Sequence, residues 1–158
     1  MNKEYPTNLT EKQWQILQKI LEPTTRKRKY SLRDIMNCIL YINKTGCQWR
    51  MTPKDFPPHN IVFYYFTKWK REGVFEDIMD TLREKLRVLL GCKLEVVLRP
   101  DESPKKFNVI PLRWIVERSF AWLYNFRRIA LDYEFHSESS EAMIQNAFAK
   151  IMLNKLSN

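Results

Sequence analysis

Glycine is scarce in this 158-residue chain, with only Gly46, Gly73 and Gly91. Three glycines cannot build a Gly-rich phosphate loop, which excludes both the P-loop and the dinucleotide-binding fingerprint, and they disfavour a turn-rich all-β fold. Cysteine is limited to Cys38, Cys47 and Cys92, an odd number with no CxxC pair. That spacing predicts reduced thiols and no disulfide framework. His59 and His136 are the only histidines, so a structural zinc site lacks ligands. No apolar run approaches a membrane span, and the amino terminus carries no signal-peptide pattern, from which we expect a soluble protein of the cytoplasm.

What is abundant is positive charge, and it is unevenly placed. The 27 Lys and Arg outnumber 18 acids, for a net charge of +9. Residues 1–93 hold 18 basic and 10 acidic side chains, whereas residues 94–158 hold 9 and 8. A basic first half beside a near-neutral second half points to a polyanion partner, with nucleic acid the leading candidate. An acidic membrane surface is the rival, but no lipidation signal or basic amphipathic anchor supports it.

Hydrophobic periodicity predicts helices throughout. Thr10 and Gln13 form a capping box ahead of Trp14, Leu17, Ile20 and Leu21, a pattern that Pro23 ends. Ser31 caps a second helix carrying Leu32, Ile35, Met36, Ile39, Leu40 and Ile42, which stops at Gly46. Residues 45–58 read as an ordered loop with three prolines, in which Trp49, Met51 and Phe56 plug the core. A third helix is expected over 59–72 and a fourth over about 75–90, closed by Gly73 and Gly91. Leu94 to Pro100 is the one convincing strand. Helical spacing returns over 112–129 through Trp114, Ile115, Ser119, Trp122, Leu123 and Phe126. A last helix is expected over 138–156, burying Ala142, Met143, Ala147, Ile151 and Leu153.

The second and third helices could form a helix-turn-helix-like pair, although residues 46–58 are longer than the tight turn of that motif. His59 and Asn60 would sit at the amino end of the third helix, where side chains and free backbone N–H groups meet bases or phosphates. Tyr64, Lys68 and Arg71 follow on its outer face, with Lys70 beside them. Arg50 and Lys54 in the loop, and the run Arg26, Lys27, Arg28 and Lys29, add further cations. Such contacts give salt-dependent affinity that is largely independent of sequence. The competing reading is that these cations simply solvate helix faces.

Two segments carry a family resemblance. The stretch Gly46-Cys47-Gln48-Trp49-Arg50-Met51-Thr52-Pro53-Lys54-Asp55-Phe56-Pro57-Pro58, with Val62 to Phe75, resembles the amino-terminal domain of bacterial insertion-sequence transposases. The branch is the fifth insertion-sequence family of the DDE class. Leu94 to Asp101 and Val109 to Leu123 are similar to the end of that family's catalytic domain. Together the two cover nearly the whole chain.

The resemblance implies a transposase that cuts and joins DNA with two metal ions held by three acids on an RNase H-like sheet. Two bridging cations activate the attacking oxygen and stabilise the leaving one, and Mg²⁺ suits such oxygen ligands. In this chain Glu117 takes the position of the third acid, with Arg113 one helical turn earlier. Ile110 replaces the tyrosine that often precedes this Arg, and Tyr124 replaces the following Lys or Arg. Both motifs that carry the catalytic aspartates are missing between Lys93 and Leu94. Asp77, Asp80, Asp101, Glu102, Asp132 and Glu134 read as surface acids rather than substitutes. A lone carboxylate holds Mg²⁺ weakly, so Glu117 reads chiefly as a helix residue paired with Arg113 or Arg118.

The expected architecture is therefore mainly α. It comprises a helix-turn-helix-like DNA-binding domain over 1–93 and a helical remnant of an RNase H-like domain over 94–158, with at most one or two short strands. One strand cannot make a sheet, so the remnant is expected to dock on the first helices, swap into a dimer or stay loose. Otherwise Trp114, Trp122, Phe126 and Met143 would be exposed. The expected function is a transposase-derived DNA-binding protein, internally deleted and unable to catalyse strand transfer alone, with no cofactor of its own. Double-stranded DNA, including the terminal inverted repeats of an element, is the expected partner, alongside a second copy or full-length transposase, with no membrane role and a nucleoid location. The alternatives are a subunit active only with intact partners and a repurposed protein-interaction module.

Overall fold

The computed structural model describes residues 4–21, 28–91, 113–131 and 133–157, with the side chains of Arg113 and Val116 left aside. All regular structure among these residues is helical, in agreement with the mainly α expectation. The strand expected over 94–100 lies outside them.

The helices begin and end where local chemistry dictates. In α1 (Glu11–Leu21) the backbone N–H of Gln13 donates to Thr10 Oγ1, and that of Thr10 donates to Gln13 Oε1, both at 3.3 Å. This reciprocal arrangement satisfies two amides that the helix itself leaves unpaired. Ser31 opens α2 (Leu32–Thr45) by accepting from the Arg33 N–H at 3.1 Å, and Gly46 closes it in the left-handed region at φ 71°. A short 3-10 turn at Trp49–Met51 lies in the connection to α3 (His59–Arg71). Then follow α4 (Val74–Leu90), α5 (Arg113–Leu123), the short α6 (Arg127–Ala130) and α7 (Ser137–Ser157).

Helix α7 is the centre of the molecule. It packs against α1, α2, α3, α4, α5 and α6. Ala142, Met143, Ala149 and Leu153 join one apolar core with Leu17, Ile35, Ile39, Phe66, Ile78 and Leu82. The alanines let neighbouring backbones approach, and apolar groups around most of its circumference suit a helix enclosed on several sides. The expected docking of the carboxy-terminal helices on the first four is therefore observed. Polar ties reinforce it. The buried amide of Gln13 donates to Asn154 Oδ1 at 3.1 Å and Ser157 Oγ at 3.0 Å, and Gln13 Oε1 accepts from Lys150 Nζ at 3.0 Å.

Several expectations are corrected. The helix expected over 112–129 is two helices. Asn125 N–H bonds the Trp122 carbonyl and Phe126 N–H bonds the Leu123 carbonyl, both i→i−3 turns that break the α-helical ladder. Met51 does not plug the core and is 72% exposed, while Trp49 and Phe56 do pack against it. Phe126 and Met143 are buried by docking, whereas Trp114 and Trp122 stay exposed. Glu134 is no surface acid. Its Oε1 accepts from Arg128 Nε at 2.8 Å and Nη2 at 2.5 Å, and both side chains are nearly excluded from solvent.

Candidate nucleic-acid interface

Three apolar side chains orient α3. Val62, Phe66 and Trp69 point into the core, with Trp49 stacking at 5.2 Å from Phe66 and Phe75 at 5.6 Å. Burial of that stripe turns the opposite face to solvent. His59, Asn60, Tyr64 and Arg71 are exposed there, and Lys68 is half-buried beside Glu72 at 3.9 Å. Pro58 precedes the helix and no side chain caps its first turn. The amino end of α3 thus offers backbone amides and two hydrogen-bonding side chains together.

Phe63 and Thr67 share the exposed face and were not singled out from sequence. The i+4 spacing from His59 through Phe63 and Thr67 to Arg71 is the signal that finds them. Phe63 leans edge-on against Trp49, centroids 5.2 Å apart, and Tyr64 meets Tyr65 at 5.4 Å. The face therefore combines aromatic rings with cations, a mixture suited to sugar and phosphate as well as to base edges.

The remaining candidates separate. Arg50, on the 3-10 turn, and Lys54, in the connection that follows, are both exposed. Lys29 is exposed and lies 5.5 Å from the centroid of the Tyr30 ring, with Arg28 half-buried alongside. Arg26 and Lys27 lie outside the described residues. Lys70 turns away from the outer face toward α7, where its ammonium donates to Ser139 Oγ at 3.2 Å and pairs with Glu138 at 3.6 Å. Its charge is spent on joining α3 to α7.

The second candidate set is far sparser. Glu117 is exposed on α5, and the backbone of Arg113 begins that helix. Among the described residues no three His, Cys, Asp or Glu side chains gather as metal ligands would. Asp80 pairs with Arg83 at 3.0 Å on α4, as expected of a surface acid with a basic neighbour. Asp101, Glu102 and Asp132 lie outside the described residues. No helix among those described is long and apolar enough to cross a membrane.

No curated protein and no solved structure matches the chain. The segment of residues 9–79, which holds α1 to α3, the start of α4 and every candidate nucleic-acid contact from Arg26 to Arg71, matches the family described as "Putative transposase of IS4/5 family".

Proposed function

We propose that this chain is a transposase-derived DNA-binding protein that takes part in, or interferes with, DNA transposition and does not transfer strands on its own. One observation carries the reading: within the transposase-like segment, the buried stripe Val62, Phe66 and Trp69 turns His59, Asn60, Tyr64, Lys68 and Arg71 outward along one helix. The bound partner is double-stranded DNA, with the terminal repeats of an insertion element as the specific target. The two parts divide near residue 93: a DNA-binding part, and a carboxy-terminal remnant reduced to helices that complete the core.

Loss of catalysis follows from chemistry. Two-metal strand transfer needs carboxylates that bridge both cations. The chain lacks both aspartate motifs, and Glu117 alone would leave Mg²⁺ with its water shell. The purified chain should leave a labelled duplex uncut in Mg²⁺ or Mn²⁺. Cleavage that disappears in Glu117→Ala would reverse this conclusion.

The binding reading is tested by fluorescence anisotropy with a labelled duplex at low salt. The Lys68→Glu, Arg71→Glu double variant should lose at least about tenfold in affinity, because two attractive phosphate contacts become repulsive. Unchanged affinity would remove α3 from the interface. A protein partner is favoured by one separate feature, the exposed Trp114, Ile115, Phe120 and Trp122 of α5, which suit association with a second copy or with full-length transposase.

A further inference from the structure

A second concentration of positive charge lies on side chains from opposite halves of the sequence. Lys44 near the end of α2, Arg118 on α5 and Lys155 near the end of α7 line one cleft of about 460 Å³, with Trp122, Asn125 and Phe126 among its walls. No acidic side chain among the described residues lines it. The other clefts differ. The one between α3, α4 and α7 sets Lys70 and Arg71 against Glu76, Glu138 and Glu141, and so neutralises itself. The groove lined by Lys12, Lys19 and Lys85 has no aromatic wall to hold its flexible ammonium groups.

In the cleft of α2, α5 and α7 two of the cations are held in place. Lys44 donates to the Asn125 carbonyl at 2.8 Å and lies 5.2 Å from the Phe126 ring centroid. The Arg118 guanidinium sits 5.6 Å from the centroid of Trp122. Cation–π contact and the carbonyl bond keep the charges near the opening while leaving donors available to a ligand. Two of these residues also lie near helix carboxy-terminal ends, where a Lys offsets the partial negative charge of the last carbonyls. That role explains Lys44 and Lys155 singly. It does not explain why Arg118 from a third helix converges on them with no carboxylate between.

We propose that this cleft is a second DNA-contact site, a cradle for backbone phosphates that works alongside the α3 face. It rests on the DNA-binding reading above and adds the site that the sequence could not reveal. Phosphodiester groups are the chemistry it fits: delocalised negative charge for Arg118, point-charge partners in Lys44 and Lys155, and no groove-reading side chain. It therefore contributes affinity without sequence preference.

The full chain carrying Lys44→Gln, Arg118→Gln and Lys155→Gln tests this by anisotropy with a labelled duplex over a range of salt. Its affinity should fall at least about tenfold, and the slope of log K against log salt should flatten by about 2 to 3, near one per phosphate released. DNA should also protect Lys44 and Lys155 of the wild-type chain from amine acylation, read by mass spectrometry, so that the result does not depend on the stability of the variant. An unchanged slope, or equal acylation with and without DNA, overturns the cleft. If the wild-type chain binds no duplex, the DNA-binding reading falls with it. If only the Lys68, Arg71 variant loses affinity, the cleft alone falls.

Discussion

Asn43 on α2 donates from Nδ2 to the carbonyl of Met143 on α7 at 2.8 Å, across 100 positions of sequence. Both residues are buried, so this bond fixes α7 at a set height along α2. Asn146, one turn further along α7, is equally buried, yet neither atom of its amide has a partner. Similar side chains a few ångströms of helix apart thus carry opposite energetic signs.

The two asparagines should respond differently to truncation. Asn43→Ala removes a donor and orphans a buried carbonyl, which costs about 1–3 kcal/mol. Asn146→Ala removes a desolvated amide that returns nothing, so its lost packing is offset and the net change stays within about 1 kcal/mol. Urea midpoints of the two variants check this. Equal losses would mean that Asn146 is solvated by buried water.

Arg128 and Glu134 form the one ion pair that is nearly closed to solvent among those described, with side-chain exposures of 6% and 12%. Arg128 also donates to the Cys47 carbonyl at 3.2 Å, and so ties α6 to the loop that precedes α3. Arg128→Ala leaves a buried carboxylate unpaired and should cost about 3–5 kcal/mol. Replacing both partners with Met and Leu should recover most of that loss. Thermal melts of the single and double variants give the comparison.

Gly46 links the same region from the other side. Its φ of 71° is left-handed, and a Cβ there would lie 3.1 Å from the Cβ of Arg127. Gly46→Ala should therefore cost about 1–2 kcal/mol from backbone conformation alone, with a further penalty as α6 shifts. A chemical denaturation curve reads the sum. A neutral outcome would show that the α2 end can relax away from α6.

The sequence disclosed what is local and hid what is distant. Ser31, Thr10 with Gln13, and the glycines at 46, 73 and 91 act on their own turns, and the boundaries expected from them hold. The break between α5 and α6 was hidden because Ile115, Ser119, Trp122 and Phe126 keep helical spacing through it, while its support comes from Lys44, 81 positions away. The inward turn of Lys70 depends on Ser139, and the burial of Glu134 depends on Arg128 folding back over Cys47. Of the candidate interface, the face of α3 was readable from spacing. The convergence of Lys44, Arg118 and Lys155 was not, because it needs α7 in place.

The cysteines offer a test of that core in solution. Burial, with a smaller contribution from the nearby Cys47, pushes the Cys38 thiol up to about 12, whereas Cys47 is half-buried. The thiolate is the nucleophile, so Cys38 should resist alkylation at pH 8 while Cys47 reacts, each read by peptide mass spectrometry. In the unfolded chain a Cys ionises near pH 8.5. Between that value and about 12 the native state keeps a proton on Cys38 that the unfolded state has lost, so this group's contribution to stability falls as pH rises through the window. Cys38→Ala removes that pH-dependent part, and the variant's stability should decline less steeply above pH 9. Fast labelling of Cys38 under native conditions would mean that α2 opens to solvent, and that the core around α7 is looser than its packing implies.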